Sequence, residues 1–142
     1  MARVMAIDPG TVRVGIAVSD PLGIVAQPHS AVAAEPRETL PDRLVTLARS
    51  LEAEELVVGL PYRMDGSEGP EAKAARALAQ QLRQASRLRV SLVDERLTSV
   101  AAERALLAGG RRRRDRRELS DQVAAALILQ THLDQTRARS GR

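Results

Sequence analysis

The stretch RVMAIDPGT at residues 3–11, followed by RVGIAVSD at residues 13–20, decides the fold of this chain. It predicts an apolar strand that ends on Asp8, a turn through Pro9 and Gly10, and a second apolar strand that returns beside the first. An unpaired carboxylate is strongly disfavoured in an apolar setting. A buried strand that ends on one therefore indicates a cleft where a cation meets the charge, and Asp8 is the first candidate functional residue.

Length and composition bound the class of protein. A chain of 142 residues corresponds to one domain with a single sizeable core, which we expect at residues 1–136, with a basic tail at residues 137–142. The first strand begins almost at Met1, so we expect no signal peptide. No apolar run approaches the ~20 residues of a membrane span, so we expect a cytoplasmic protein without a membrane partner.

Two residue types are nearly or wholly missing. The sequence contains no cysteine, which excludes disulfides, thiolate metal sites and cysteine nucleophiles. Tyr62 is the single aromatic residue, which argues against the base-stacking platforms of RNA-recognition and single-strand-binding modules.

Basic residues are concentrated near the carboxyl end. The net charge is +4 and Lys73 is the one lysine among 22 basic residues. The run RRRRDRR at residues 111–117 and the tail arginines supply the excess. Clustered guanidinium groups favour polyphosphate partners, because each can bind phosphate through two hydrogen bonds and stays charged. A solvated charged loop is the alternative.

Hydrophobic periodicity predicts alternating strands and helices after the first hairpin. We expect strands at residues 3–8, 13–19, 30–33, 56–60 and 88–93. We expect helices at residues 42–51, 70–85, 98–106 and 120–133, with the arginine run as a loop before the last helix. Continuous apolar runs suit parallel strands that are covered on both faces. The order of elements predicts an α/β protein with a mixed sheet and helices on both faces.

Three acidic positions fall at one edge of such a sheet. Asp8 ends the first strand, Glu95 or its neighbour Asp94 ends the last strand, and Asp121 begins the last helix. Ligand sites in open α/β sheets gather at the carboxyl ends of the strands. Three carboxylates there bind hard divalent cations, and two ions about 3.5–4 Å apart activate a water and stabilise the leaving oxygen of a phosphodiester.

Each carboxylate also has a purely structural interpretation. Asp8 fits an Asp-Pro-Gly turn, Asp121 fits a first-turn residue that stabilises a helix dipole, and Asp94 and Glu95 fit a surface charge cluster. Adjacent residues of a strand face opposite sides, so one of these two neighbours is expected to be non-catalytic. We expect the two histidines to form ordinary hydrogen bonds. The functional hypothesis depends on the set of three carboxylates.

Motifs along the whole chain resemble those of the YqgF/RuvX family. They are DPGT at residues 8–11 with GIAVSD at 15–20, GLP at 59–61 with MDGSEG at 64–69, DERLT at 94–98, and DQVAAALILQ at 121–130. The resemblance is highly specific and implies an RNase H-like fold, related to the RuvC junction resolvases. It implies a five-stranded mixed sheet, three antiparallel strands plus two parallel ones, with the first strand beside the fourth.

The resemblance also implies an activity. The family is assigned to maturation of the 5′ end of pre-16S ribosomal RNA and to resolution of Holliday junctions, which implies a nuclease dependent on Mg²⁺ or Mn²⁺ that binds structured RNA or branched DNA. The metal-binding catalytic carboxylates of the family fall on Asp8, Glu95 and Asp121. Neither the metals nor the arginine run reads the sugar or the sequence, so RNA and DNA both stay open, as do monomer and homodimer.

Substrate-binding candidates surround the same edge. Gly10 and Thr11 let a phosphate approach the backbone closely, and the loop at residues 62–69 overhangs the edge. Arg63 and Gln122 stand where the family often has Asn and Lys, which bears on substrate preference more than on chemistry. The other cationic candidates are Arg13, Arg96, Arg111, Arg112, Arg113, Arg114, Arg116 and Arg117.

Two other functions are compatible with parts of the sequence. The Asp-Pro-Gly-Thr hairpin resembles the first phosphate loop of actin-like ATPases, but those enzymes need two such domains around the nucleotide. A catalytically silent RNA-binding module of the same fold is the second alternative. Three clustered carboxylates argue against it, because they repel a phosphate backbone unless metal lies between them. Metal-dependent cleavage discriminates the nuclease from both.

Overall fold

The computed structural model describes residues 2–98 and 113–139, with side chains from Asp121 onward in the second range. The elements, in chain order, are β1 Val4–Asp8, β2 Arg13–Ser19, β3 Ala26–Ala33, α1 Leu40–Ser50, β4 Glu55–Leu60, α2 Pro70–Ser86, β5 Arg89–Asp94 and α3 Arg113–Arg139. Short 3-10 turns at Arg37–Thr39 and Glu95–Leu97 precede α1 and follow β5. In these ranges no helix combines the length and apolar character that a membrane crossing needs.

The five strands form one mixed sheet in the order β3-β2-β1-β4-β5. The pairs β1–β2 and β2–β3 are antiparallel, and the pairs β1–β4 and β4–β5 are parallel. The predicted sheet, with three antiparallel strands plus two parallel ones, is confirmed. β1 lies at its centre and is buried along its whole length. Its carboxyl end points in the same direction as those of β4 and β5.

Alternate residues of β1 face two separate apolar layers. Met5 and Ile7 pack in the layer formed with α1 and α2, whereas Val4 and Ala6 pack with Ile128 and its neighbours on α3. Side chains alternate between the faces of a strand, so Asp8 continues the second series and faces α3. The predicted helices on both faces of the sheet are confirmed.

The two helices of the first layer follow the apolar spacing of the sequence. Leu40, Leu44, Val45 and Ala48 form the buried stripe of α1, which begins two residues before the predicted start at residue 42. α2 begins at Pro70, where the missing N–H of proline costs no helical hydrogen bond. It ends at Ser86, close to the predicted boundary.

The boundaries of β3 and β5 differ from the prediction. β3 begins at Ala26 rather than at residue 30, because β2 offers pairing partners along its whole length and an edge strand tolerates Pro28. β5 ends at Asp94, so Glu95 lies in the following 3-10 turn and not at the strand end. The Asp94 side chain accepts a hydrogen bond from the backbone N–H of Arg96, and such a cap favours a turn over a longer strand.

The predicted loop across the arginine run is wrong from Arg113 onward. α3 begins there rather than at residue 120, and it extends past the predicted end at residue 133 to Arg139, within the basic tail. Arginine is a good helix former, and no glycine or proline interrupts this segment. Arg111 and Arg112 lie outside the described residues, as does nearly all of the helix predicted at residues 98–106.

Candidate active site

Two glycines flank Asp8 in the sheet. Asp8 pairs with Gly15 of β2. On the other side Ile7 pairs with Val58 of β4, so Gly59 is the next residue beside Asp8. Glycine inside a strand often marks a close approach by another part of the chain. Here an acidic residue from a different element covers each glycine.

Gly59 makes room for Glu95. A Cβ atom on Gly59 would lie 3.0 Å from Oε2 of Glu95 and 2.6 Å from Cδ1 of Ile128. The missing side chain lets the Glu95 carboxylate lie over β4, next to the strand that ends in Asp8. Asp8 and Glu95 line the same cavity of about 440 Å³, together with Gly10 and Thr11. The structure therefore brings two of the three predicted residues to the edge of one cavity, whose other walls come mostly from α1 and α2.

Gly15 has the same relation to Asp121. A Cβ atom on Gly15 would overlap the backbone carbonyl oxygen of Asp121, so the glycine lets α3 pass close over β2. The Nε–H of Arg13 donates a hydrogen bond to Oδ2 of Asp121 over 3.1 Å. Asp121 is thus fixed to β2 twice, by its backbone at Gly15 and by its carboxylate at Arg13.

The three carboxylates lie on one face of adjacent strands without forming one cluster. The carboxylate of Asp121 is bound to Arg13, and within the described part of the chain no group of three or more acidic or histidine residues is arranged to hold a metal ion. The donor type nevertheless fits hard divalent cations, which take carboxylate oxygens. Asp8 is 3% exposed, so its carboxyl group is nearly shielded from solvent.

Asp94 has different partners from Glu95. Its carboxylate accepts hydrogen bonds from the Arg96 guanidinium, with 2.7 Å between Nη2 and Oδ2. These bonds hold the pKa of the Asp94 carboxyl below its usual value, because they stabilise its charged form. The Arg96 guanidinium also lies 5.0 Å from the centre of the Tyr62 ring. Arg96, a predicted phosphate contact, is therefore bound to the neighbour of Glu95.

Arg63 lies in the loop between β4 and α2. Its guanidinium packs against Gly69, where a Cβ atom would lie 2.8 Å from Nε of Arg63. Arg76 of α2 binds the same loop, with hydrogen bonds of 2.7 Å to Glu68 and 2.6 Å to the Tyr62 hydroxyl. These contacts fix the loop to α2.

The turn after β1 depends on Gly10. A Cβ atom there would overlap the backbone carbonyl oxygen of Arg13. Thr11, the next residue, accepts a hydrogen bond on its carbonyl oxygen from Nη2 of Arg37 over 3.3 Å. Gly10, Thr11 and Arg37 all line the cavity of Asp8 and Glu95.

Sequence reasoning missed three residues of this region. Gly15 and Gly59 belong to the quoted motifs, but no role was predicted for them. A glycine inside an otherwise apolar strand is the signal that identifies such positions. Arg37 has no comparable signal, because it reaches the Thr11 carbonyl from a distant 3-10 turn. Of the arginine run, Arg113, Arg114, Arg116 and Arg117 lie on the helix that includes Asp121.

Both histidines form hydrogen bonds, as predicted. His29 pairs with the Ser30 hydroxyl over 2.9 Å. His132 of α3 pairs through Nε2 with Oε2 of Glu55, at the start of β4, over 3.0 Å. The bond to His132 lowers the pKa of the Glu55 carboxyl from its ordinary value. This pair lies at the end of β4 opposite to Gly59, away from the candidate active site.

Comparisons with known proteins agree with this architecture. A family model described as "RuvX: Holliday junction resolvase" matches residues 2–135. A relative from Moorella thermoacetica is 48% identical over 93% of this chain and 94% of its own. A relative from Myxococcus xanthus is 47% identical over 93% of this chain and 87% of its own. Both have the name "Putative pre-16S rRNA nuclease".

The fold also has a solved counterpart. The RuvC protein of Thermus thermophilus, in complex with a Holliday junction substrate, aligns with a TM-score of 0.60 at 15% identity, over 99% of this chain and 97% of the other. Sheet order and likeness to RuvC define the RNase H-like class of fold. Within that class, the family match and the curated relatives define a nuclease. The chain belongs to the RuvX (YqgF) family.

Proposed function

We propose that this protein is a two-metal-ion hydrolase of phosphodiester bonds, with Asp8, Glu95 and Asp121 as its catalytic and metal-binding residues. The most direct support comes from three residues that are neighbours across the sheet, Gly15 on β2, Asp8 on β1 and Gly59 on β4. This arrangement places Asp8 between two glycines that are covered by the other two acidic residues. We further propose that it processes the 5′ end of pre-16S ribosomal RNA in the cytoplasm. The names of the curated relatives support this substrate.

The chain contributes position and charge to this chemistry. Asp8, Glu95 and Asp121 would hold Mg²⁺ or Mn²⁺, which would supply an activated water and stabilise the leaving oxygen of the phosphodiester. Asp8 offers a carboxylate fixed by the central strand, and Glu95 offers one from the turn after β5. Both residues line one cavity.

Substrate binding is assigned to groups around this cavity. Gly10 and Thr11 are exposed where the first turn meets the opening, so a phosphate can approach the backbone there. Arg63 lies in the loop between β4 and α2, and Arg96 packs against Tyr62 of the same loop. The arginine run leads into the helix of Asp121 and supplies further positive charge. Such contacts fix the position of a nucleic-acid backbone and carry no sequence information.

A four-way DNA junction is the second candidate substrate. The description of the family model and the likeness to RuvC favour it. A junction has two symmetric strands to cut, so an enzyme that resolves it is best served by a two-fold dimer. An enzyme that trims RNA has no such need. Oligomeric state therefore helps to discriminate the two substrates.

The test is a side-by-side cleavage assay. A pre-16S precursor, a single-stranded RNA and a four-way DNA junction are each incubated with the wild type and with Mg²⁺ or Mn²⁺. Asp8→Asn, Glu95→Gln and Asp121→Asn should abolish cleavage, whereas binding should persist because each change removes a negative charge. Asp94→Asn is the matched control, since its carboxylate binds Arg96. Normal turnover by a correctly folded Asp8→Asn protein excludes the mechanism.

A further inference from the structure

Arg13 makes a contact that a simple phosphate-binding residue does not need. Its Nε–H is bonded to Oδ2 of Asp121 over 3.1 Å, and among the described residues this is its one ion pair. Arg13 and Asp121 are separated by 108 positions in sequence. Their pairing therefore depends on the folded arrangement of β2 and α3 and not on local chain geometry.

The pair lies where negative charge accumulates. Asp8 pairs with Gly15, and Gly15 lies under the backbone of Asp121. Carboxylates at one edge of a sheet repel each other. The Arg13 guanidinium places a positive charge at the Asp121 carboxylate. The side chains of Arg13 and Asp121 are 27% and 23% exposed, so water and ions still reach the pair.

We infer that Arg13 is a positioning residue that takes the place of a divalent cation at Asp121. It binds the Asp121 carboxylate while metal is absent and would compete with a divalent cation for that carboxylate. The inference rests on the proposed function in one respect, since it requires Asp121 to be a metal ligand.

This competition links two events at the site. If the Asp121 carboxylate held a divalent cation instead, the Arg13 guanidinium would be free to contact the substrate phosphate. Arginine suits both states, because it donates from Nε to a carboxylate and can present two parallel N–H groups to a phosphate. In both states the Asp121 carboxylate has a positive partner, either the Arg13 guanidinium or the metal ion, so its negative charge stays compensated.

The first test measures Mn²⁺ binding by titration calorimetry in the absence of nucleic acid. Arg13→Ala should bind Mn²⁺ about two- to fivefold more tightly than the wild type, the range expected for loss of a partly exposed ion pair. The control is Arg137→Ala, which removes a 2.7 Å ion pair with Asp134 on the same helix and should leave Mn²⁺ affinity unchanged. Equal or weaker Mn²⁺ binding by folded Arg13→Ala overturns the inference.

The second test is a double-mutant cycle in EDTA, read by thermal unfolding. Arg13→Ala should lower the melting temperature of the wild type more than that of Asp121→Ala, which has no side-chain oxygen to accept the hydrogen bond from Arg13. Additive effects overturn the inference. The two tests also separate the hypotheses. If the wild type binds no Mn²⁺, both the metal chemistry and this role of Arg13 are wrong. If it binds Mn²⁺ but Arg13→Ala changes nothing, only the role of Arg13 is wrong.

Discussion

Oε2 of Glu95 lies 3.0 Å from the point where a Cβ atom on Gly59 would be. Glu95 follows β5, and β4 lies between β5 and the strand of Asp8. The carboxylate therefore approaches Asp8 over β4, at a residue that has no side chain. Ile128 of α3 uses the same space, so position 59 sets the distance from both the turn and the helix to the sheet.

Substitution at this position should damage activity more than stability. In Gly59→Ala, the methyl group must displace Glu95, Ile128 or both. We expect a loss of about 1–3 kcal/mol in the free energy of unfolding, as for other overpacked sites. Cleavage at saturating substrate should fall about 100-fold, the effect of a displacement of roughly 1 Å at a reacting centre. Thermal unfolding and single-turnover cleavage measure the two effects.

Gly69→Ala is the matched control for that change. There the added methyl group meets the end of the flexible Arg63 side chain, which can move at low cost. We expect weaker substrate binding and nearly unchanged cleavage at saturation. If Gly59→Ala cleaves as well as Gly69→Ala, the position of Glu95 does not matter for the chemistry.

Loss of the carboxylate of Asp94 should increase affinity for nucleic acid. Asp94→Asn removes the partner that binds the Arg96 guanidinium and also one negative charge. We expect a lower Kd at low salt, an effect that shrinks as salt screens the charges. Cleavage at saturating substrate should stay within about threefold of the wild type. Filter binding at two salt concentrations tests this, and weaker binding contradicts it.

The arginine run should determine the salt dependence of binding. Each phosphate contact adds roughly 0.7–0.9 to the slope of log affinity against log salt concentration. Replacing Arg111, Arg112 and Arg113 with Ala should flatten that slope by about two and weaken binding to all sequences alike. Alanine preserves the helix that begins at Arg113. If titrations at several salt concentrations give an unchanged slope, the arginine run is a solvated segment that makes no phosphate contacts.

Acid should weaken the contact between α3 and β4. The pKa of Glu55 is lowered in the folded protein by its bond to His132, so the unfolded chain takes up the proton first. The stability that Glu55 contributes is therefore present above its ordinary pKa and is lost as the pH falls below about 4.5. Glu55→Gln should melt lower than the wild type near neutral pH and approach it in acid. A difference that stays constant across this range contradicts the prediction.

Most of the sheet is predictable from the sequence, because its strands are apolar runs bounded by turn residues. β2 matches its predicted bounds, and β1 and β4 differ by one residue at their starts. The start of α3 at Arg113 could not be predicted from charge density, because runs of charged residues are typical of loops and helices alike. The intrinsic helix propensity of arginine determines this part of the structure.

The candidate site was predictable in part. Asp8 and Glu95 follow from the rule that ligand sites gather at the carboxyl ends of strands, and both line one cavity. The bond between Arg13 and Asp121 could not be predicted, since it depends on which face of β2 meets the third turn of α3. From the sequence alone, a substrate phosphate and a carboxylate suit Arg13 equally well as partners. The positions of β2 and α3 in the fold decide that the partner is Asp121.

The central position of β1 has a consequence for exchange of its amide protons. Val4–Asp8 is buried and paired with strands on both sides, and amides in such a strand exchange with solvent only when the whole domain unfolds. Shorter or peripheral elements open in smaller steps. The backbone that holds Asp8 therefore opens last, whereas Glu95 lies in a short turn after the edge strand β5, which can open in a smaller step.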